Sequence, residues 1–251
     1  MPRIFLPPEA FGPGGMITIG GGARRHLVRV LRLKPGDTFI AVNGEGGEFT
    51  ARLVAVEAQV ARAEVVAARP GAAEPPVAVT LLLGLPKGEK TALVIQKATE
   101  LGVARLMPVA TQRSVVRLDG AGSEERRRRW QAIVAAAVAQ SGRSRVPLVE
   151  GVRPLEEALA ALAPQATLLV PWEGERETSL RAALAGLRQG GVHEVTVAVG
   201  PEGGWAPEEV ALFRRYGGLT VSLGPRVLRC ETAALAALAI ILYELGDLGA
   251  N

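Results

Sequence analysis

The residues with the most chemical potential lie late in the sequence, in Gly200-Pro201-Glu202-Gly203-Gly204 and in the run from Leu223 through Gly224, Pro225, Arg226, Val227, Leu228, Arg229, Cys230, Glu231 and Thr232 to Ala233. The first run follows the apolar stretch 195–199 and precedes Trp205, with Pro207, Glu208 and Glu209 opening the next helix. Three glycines within five residues at the end of a buried strand permit positive φ and close backbone approach. Open α/β sheets bind ligands at that place. A tight turn alone needs only one such glycine. The spacing is neither the GxGxxG of a dinucleotide fold nor the Gly-Lys-Ser/Thr of a P-loop, so a dinucleotide or triphosphate is disfavoured.

The second run bends at Gly224 and Pro225, sets Arg226 and Arg229 around Val227 and Leu228, and leads into a helix apolar on nearly every face. A backbone turning between a strand and a buried helix has free N–H and C=O groups to offer a planar heterocycle. Val227 and Leu228 are candidate walls for such a ring. Equally, Arg226 and Arg229 can be surface charges and Thr232 a helix cap. His26 and His193 stand too far apart to argue for a metal, and no spaced carboxylate or cysteine cluster supports one.

These runs need a scaffold. Residues 1–70 read as short strands at 3–6, 16–19, 38–42, 48–56 and 60–66, with one helix over 23–33, which together make a small, mostly antiparallel β-barrel. The Pro- and Gly-rich stretch 69–76 is the expected linker. From 77 to 251, apolar runs at 77–83, 105–109, 166–170, 194–199 and 220–223 alternate with amphipathic helices at 87–101, 123–140, 154–162, 179–187, 207–216 and 231–245. Such alternation predicts an α/β fold with a parallel sheet covered on both faces.

At 48% hydrophobic and 22% charged residues, the 251-residue chain has the composition of a folded globular protein rather than a disordered one. One cysteine excludes a disulfide framework and a Cys-based zinc cage, and a reducing cytoplasmic compartment is the expectation. No apolar run reaches the roughly 18 residues of a membrane span, and prolines interrupt the first fifteen residues where a signal peptide needs an apolar core. A net charge of +4, carried mostly by arginine, suits a polyanion partner.

The two glycine-bearing runs stand in order with LPKGEKTALVIQKATELGV, PVATQRSV and AVAQSGRSRVP, and with RIFLPP, HLVRVLRLKPGD and AVNGEGGEFTA nearer the start. Together these motifs cover nearly the whole chain and resemble the RsmE family of 16S ribosomal RNA uridine-N3 methyltransferases, of the SPOUT superfamily. Cys230 departs from the threonine-like residue expected there. The resemblance implies a PUA-like β-barrel at 1–70 and, at 77–251, a SPOUT domain with a C-terminal trefoil knot, a topology nearly absent elsewhere. It also implies a cytoplasmic homodimer that uses S-adenosyl-L-methionine on 16S ribosomal RNA or the small ribosomal subunit, in ribosome biogenesis, with no membrane role.

By the same resemblance three loops grip the adenosine. They comprise Leu169, Val170 and Pro171; Gly200, Pro201, Glu202, Gly203 and Gly204; and Leu223, Gly224, Val227, Leu228, Arg229, Thr232 and Ala233. For the reaction, Arg229 is the candidate stabiliser of negative charge on the uracil carbonyls. Glu202 is a candidate proton acceptor or brace, as is Glu231. Candidate phosphate contacts are Arg3, Arg24, Arg25, His26, Arg29 and Arg32, then Lys87, Lys90, Lys97, Arg113 and Arg143. Trp172 and Trp205 adjoin the loops as walls against solvent or as stacking platforms. Two other readings compete: another SPOUT methyltransferase with a different target nucleotide, and an inactive RNA-binding assembly factor.

Overall fold

The computed structural model describes residues 1–71, 74–114, 120–163 and 166–250. Ala72 and Ala73 of the expected linker, and Val115 of the PVATQRSV motif, lie outside them. Two compact units emerge, one from Met1–Glu74 with Ala135–Val146, the other from Pro75–Val134 with Pro147–Asn251.

The first unit holds β1 (Arg3–Phe5), β2 (Met16–Gly20), β3 (Thr38–Val42), β4 (Gly47–Val56) and β5 (Val60–Pro70) in one sheet, ordered β1-β3-β4-β5-β2. Only β1 and β3 run parallel. Alternating residues of β3, β4 and β5 face inward, so Phe39 pairs with Ala51 and Leu53 with Ala63, all fully buried. The expected helix over 23–33 begins earlier and changes pitch: α1 (Gly21–Arg25) passes into a π-helical turn at His26–Val30, where the Leu31 N–H reaches the His26 carbonyl at 2.9 Å. Arg32, at φ 55°, ends it. Within this unit the Glu74 carboxylate accepts the backbone N–H groups of Ser144 and Arg145, each at 2.8 Å, and the Arg143 guanidinium at 2.8 Å.

The second unit is an α/β layer structure. Its strands are β6 (Ala78–Gly84), β7 (Arg105–Ala110), β8 (Leu148–Val149), β9 (Arg153–Pro154), β10 (Thr167–Pro171), β11 (Glu194–Val199) and β12 (Leu219–Val221). All pair in parallel, in the order β12-β10-β11-β6-β7-β8 with β9 also on β7. The helices are α2 (Lys90–Leu101), α3 (Gly120–Ser141, of which the part from Ala135 onward belongs to the first unit), α4 (Leu155–Ala160), α5 (Leu180–Gln189), α6 (Pro207–Arg215) and α7 (Cys230–Leu245). No described helix is long and apolar enough to cross a membrane.

Three local departures from the sequence reading have clear causes. α2 starts at Lys90 rather than 87, because Gly88 at φ +68° cannot continue a right-handed helix. β12 stops at Val221, since Ser222 bridges to Ser179 instead of continuing along β10, and its hydroxyl accepts the Gly224 N–H at 3.2 Å. β8 and β9 are two residues each and have no periodicity to read. One consequence of the strand order dominates the site. β11, β10 and β12 end side by side, and each ends in a loop.

Candidate functional site

A cavity of about 440 Å³ opens at those carboxyl ends. Pro171 closes β10, Val199 closes β11 and Ser222 follows β12, so three adjacent strands deliver three loops to one hollow. The glycine run turns tightly there: the Gly204 N–H donates to the Pro201 carbonyl at 2.9 Å, with Gly204 at φ +66°. A Cβ on Gly204 would lie 2.8 Å from a Glu173 carboxylate oxygen, and one on Gly200 would press the Trp205 indole at 3.3 Å. Close approach therefore disfavours a side chain at both positions, and at Gly204 the positive φ adds to it.

Trp205, 3% exposed, stands edge-on to Phe213 with centroids 4.7 Å apart. It is a packed wall of the cavity, and its indole N–H is buried without a hydrogen-bond partner among the described residues. Trp172 is half-buried on the opposite loop with the Arg214 guanidinium 5.8 Å from its ring centroid. That loop is shaped by Glu175, whose carboxylate accepts the Thr220 hydroxyl at 2.6 Å and the Glu177 and Thr178 N–H groups at 2.8 and 3.1 Å. The Thr220 bond and then the backbone donors hold the Glu175 pKa down to about 2.

Of the residues expected at the cofactor, Pro171, Gly200, Pro201, Glu202, Gly204, Leu223, Gly224, Val227, Leu228, Arg229 and Ala233 line the cavity. Leu169 and Val170 do not, because they point into the sheet core at 1% and 0% exposure. Gly203 turns its carbonyl to Arg113, 2.6 Å away, and Thr232 faces outward from α7. Glu173, Arg176 and Ser222 line the cavity unforeseen. They sit in irregular loop segments with no periodic signal, and only the fold brings them in.

Glu202 is tied to the start of α2. Its carboxylate accepts the Lys87 N–H at 3.2 Å and the Lys90 ammonium at 2.8 Å, while Glu231 stands 3.7 Å from the same ammonium. Lys90 thus joins the glycine run to the first turn of α7. Burial pushes Glu202 upward, but the Lys90 bond and neighbouring N–H donors outweigh it and leave the carboxyl below its ordinary value. The Glu202 bond raises the Lys90 ammonium in turn. Cys230 is buried, and burial together with Glu202 and Glu231 pushes its thiol up to about 12, so it is a packing group rather than a nucleophile. Arg229 is exposed at the mouth, next to Val227, which is 88% exposed.

The expected phosphate contacts divide sharply. Arg25, His26, Arg29 and Arg32 are exposed and carry no ion pair among the described residues. Arg143 does not belong with them: it is 4% exposed and committed to Glu74. Lys90 and Lys97 are engaged by carboxylates, Lys97 by Glu100 at 2.9 Å. Arg3 is paired with Glu48 at 2.8 Å, Arg24 donates to the Glu57 carbonyl at 2.9 Å, and Arg113 anchors Gly203. Lys87 keeps an exposed side chain. Charge type was legible in the sequence; the partner of each charge was not.

Comparison with known proteins agrees with this layout. The family described as RNA methyltransferase domain matches residues 73–242, and that described as RNA methyltransferase PUA domain matches residues 19–66. Ribosomal RNA small subunit methyltransferase E of Bacillus subtilis is 34% identical over 97% of this chain and 97% of its own, and that of Mycobacterium bovis 35% identical over 91% and 86%. Among solved structures, a ribosomal RNA small subunit methyltransferase E from Neisseria gonorrhoeae bound to S-adenosyl methionine is 35% identical, with a TM-score of 0.82 over 98% of this chain and 99% of that one. A methyltransferase of Legionella pneumophila in complex with the bound cofactor SAM is 30% identical, with a TM-score of 0.79 over 98% of both chains. With a ligand-sized cavity where three strand ends meet and full-length similarity on both sides of it, the chain belongs to the ribosomal RNA small subunit methyltransferase E family.

Proposed function

We propose that this protein transfers a methyl group from S-adenosylmethionine to N3 of a uridine in 16S ribosomal RNA, acting in the decoding region of the small subunit during ribosome biogenesis in the cytoplasm. One observation carries the reading: the glycine-bearing cavity at the ends of β10, β11 and β12, in a chain aligned end to end with a cofactor-bound relative. The residues present fit that cofactor. The cavity has apolar walls and an unsatisfied indole N–H, with Glu173 and Glu202 set against Arg176, Arg226 and Arg229, a charge pattern suited to a zwitterionic amino-acid moiety. When bound, S-adenosylmethionine supplies an electrophilic methyl on a sulfonium.

The chain's own contribution is chiefly to position and to exclude water. Glu202 serves as a brace: its ionised form is held by Lys90 and the Lys87 N–H, and a carboxyl with a lowered pKa is a weak proton acceptor. Arg229 stands unburied at the mouth, available to the negative charge that develops on the uracil carbonyls as the N3 proton leaves. The N3 edge is occupied in a base pair, so the target uridine is unpaired or extruded. Exposed Arg25, His26, Arg29 and Arg32 supply phosphate contacts.

The wider architecture follows from the same reading. The first unit is a PUA-like barrel over 1–70, and 77–251 is the SPOUT domain. Its C-terminal trefoil knot is supported by the path of α7, which leaves the edge strand β12 and packs against β6, β11, α2 and α5. A homodimer is supported by the outer side of α7, where Ile240 and Tyr243 are 40% and 66% exposed.

The test is incubation with labelled S-adenosylmethionine and small subunits lacking the modification, followed by mapping of the methyl by mass spectrometry. Label at uridine N3 is expected; cofactor binding without incorporation, or label elsewhere, overturns the reading. Arg229→Ala is expected to lower kcat by about a hundredfold at saturating cofactor. Full turnover by that variant would remove the electrostatic role.

A further inference from the structure

The first unit contains a second cavity, of about 280 Å³, which the cofactor chemistry does not use. Its apolar part is made by Pro8, Met16, Val65 and the rings of Phe11 and Phe49, whose centroids are 4.8 Å apart at an interplanar angle of 45°. Both rings are half-buried, packed on the sheet core yet open on one side. At the lip stand Asn43 and Glu45. The Asn43 amide oxygen accepts the N–H groups of Glu45 and Gly47, each at 2.9 Å, which fixes the side chain and leaves its NH₂ without a partner among the described residues. Glu45 is exposed, and its side chain has no ion pair among the described residues. Beside them, exposed Arg145 is held by backbone bridges to Gly44 and Glu45.

Two tilted aromatic rings open on one side, one fixed N–H donor, one carboxylate and a neighbouring guanidinium match the chemistry of a nucleotide. Aromatic rings stack on unpaired bases, and edge hydrogen bonds choose among them. A carboxylate requires N–H donors. Guanine presents N1–H and N2–H beside its O6 acceptor on one edge, whereas adenine offers only N6–H there, and uracil flanks N3–H with two carbonyls. We infer that this cavity is a subsite for an unpaired guanine of the RNA substrate, distinct from the methylated base. Phe11 or Phe49 stacks on the guanine, Glu45 accepts from N1–H and N2–H, the Asn43 NH₂ donates to O6, and Arg145 meets the adjoining phosphate. The inference rests on the RNA-methyltransferase reading for its choice of ligand.

The test uses the full chain with methyl-labelled methionine, titrated with guanosine, adenosine and uridine 5′-monophosphates. Met16 lines the cavity and is 38% exposed, while Met107 is buried in the other unit and serves as an internal control. Guanosine monophosphate should shift Met16 saturably and leave Met107 unmoved, with the other nucleotides about tenfold weaker. Glu45→Gln should erase that preference. Phe11→Leu, which keeps an apolar core contact, should raise KM for the RNA about tenfold with kcat and the cofactor KM unchanged. No saturable Met16 shift, or equal responses to all three nucleotides, overturns the inference. Guanosine binding here by a protein that incorporates no methyl would instead defeat the proposed reaction and leave the subsite standing.

Discussion

Glu175 illustrates how one side chain can shape a cofactor site without touching it. Three hydrogen bonds to its carboxylate hold the loop that carries Trp172, Glu173 and Arg176 to the cavity. Its folded pKa of about 2 lies below the ordinary 4.5, so its contribution is complete above about pH 4.5 and is lost as the pH falls toward 2. Cofactor affinity measured by calorimetry should decline across that window. Glu175→Gln should weaken binding roughly threefold to tenfold at pH 7 and flatten the dependence on pH in that range, leaving only the part due to the cavity carboxylates Glu173 and Glu202. An unchanged affinity and pH profile would show that the loop holds its shape without the carboxylate. Lys90 acts at the same scale, linking Glu202 and Glu231 where the sequence alone offered it as a phosphate contact.

At the scale of elements, α7 joins site and core. Its first residue, Cys230, and Ala233 line the cavity, while Ala234, Ala237, Leu238, Ile241 and Leu242 are buried where the helix meets α2, α5, β6 and β11. Leu238 is fully buried, so Leu238→Ala removes apolar contacts and leaves a void. A loss of about 2 to 5 kcal/mol in unfolding free energy is expected from urea titration, with cofactor affinity falling alongside because the same helix carries the cavity floor. A loss below about 1 kcal/mol would mean that the surroundings collapse into the void. The apolar character of α7 on nearly every face was plain in the sequence. Which faces are covered within one chain, and that Ile240 and Tyr243 are left outside, depends on where α2 and α5 lie.

For the whole molecule, the distribution of charge matters more than its net +4. Most of the cations singled out by residue type are spent internally, and Arg143 is entirely so. Lys87 remains in the second unit, and Arg25, His26, Arg29 and Arg32 remain on and just after one short helical segment of the first. Replacing Arg25 and Arg29 together by alanine should reduce the slope of log affinity for single-stranded ribosomal RNA against log salt by about 0.7 for each lost phosphate contact. Cofactor affinity should not change. Arg143→Ala is the contrast, since it leaves the Glu74 carboxylate without its buried partner and should lower stability rather than the salt slope. If Arg25 and Arg29 leave the slope intact, the phosphate-binding face lies elsewhere.

The sequence by itself determined the alternation of buried strands and helices, the two glycine-bearing runs and, through motifs in order, the family. Those are local properties: periodicity, glycine spacing and residue type act over a few neighbours. The tertiary structure decided what depends on contacts across many residues. It brought the loop after β10 against the other two, turned Leu169 and Val170 into the core, gave Glu202 a lysine from α2 and buried Arg143 on Glu74. A side chain's type fixes the chemistry it can offer, but its pKa, partner and exposure are set by groups up to 115 positions away, such as Glu202 on the Lys87 N–H.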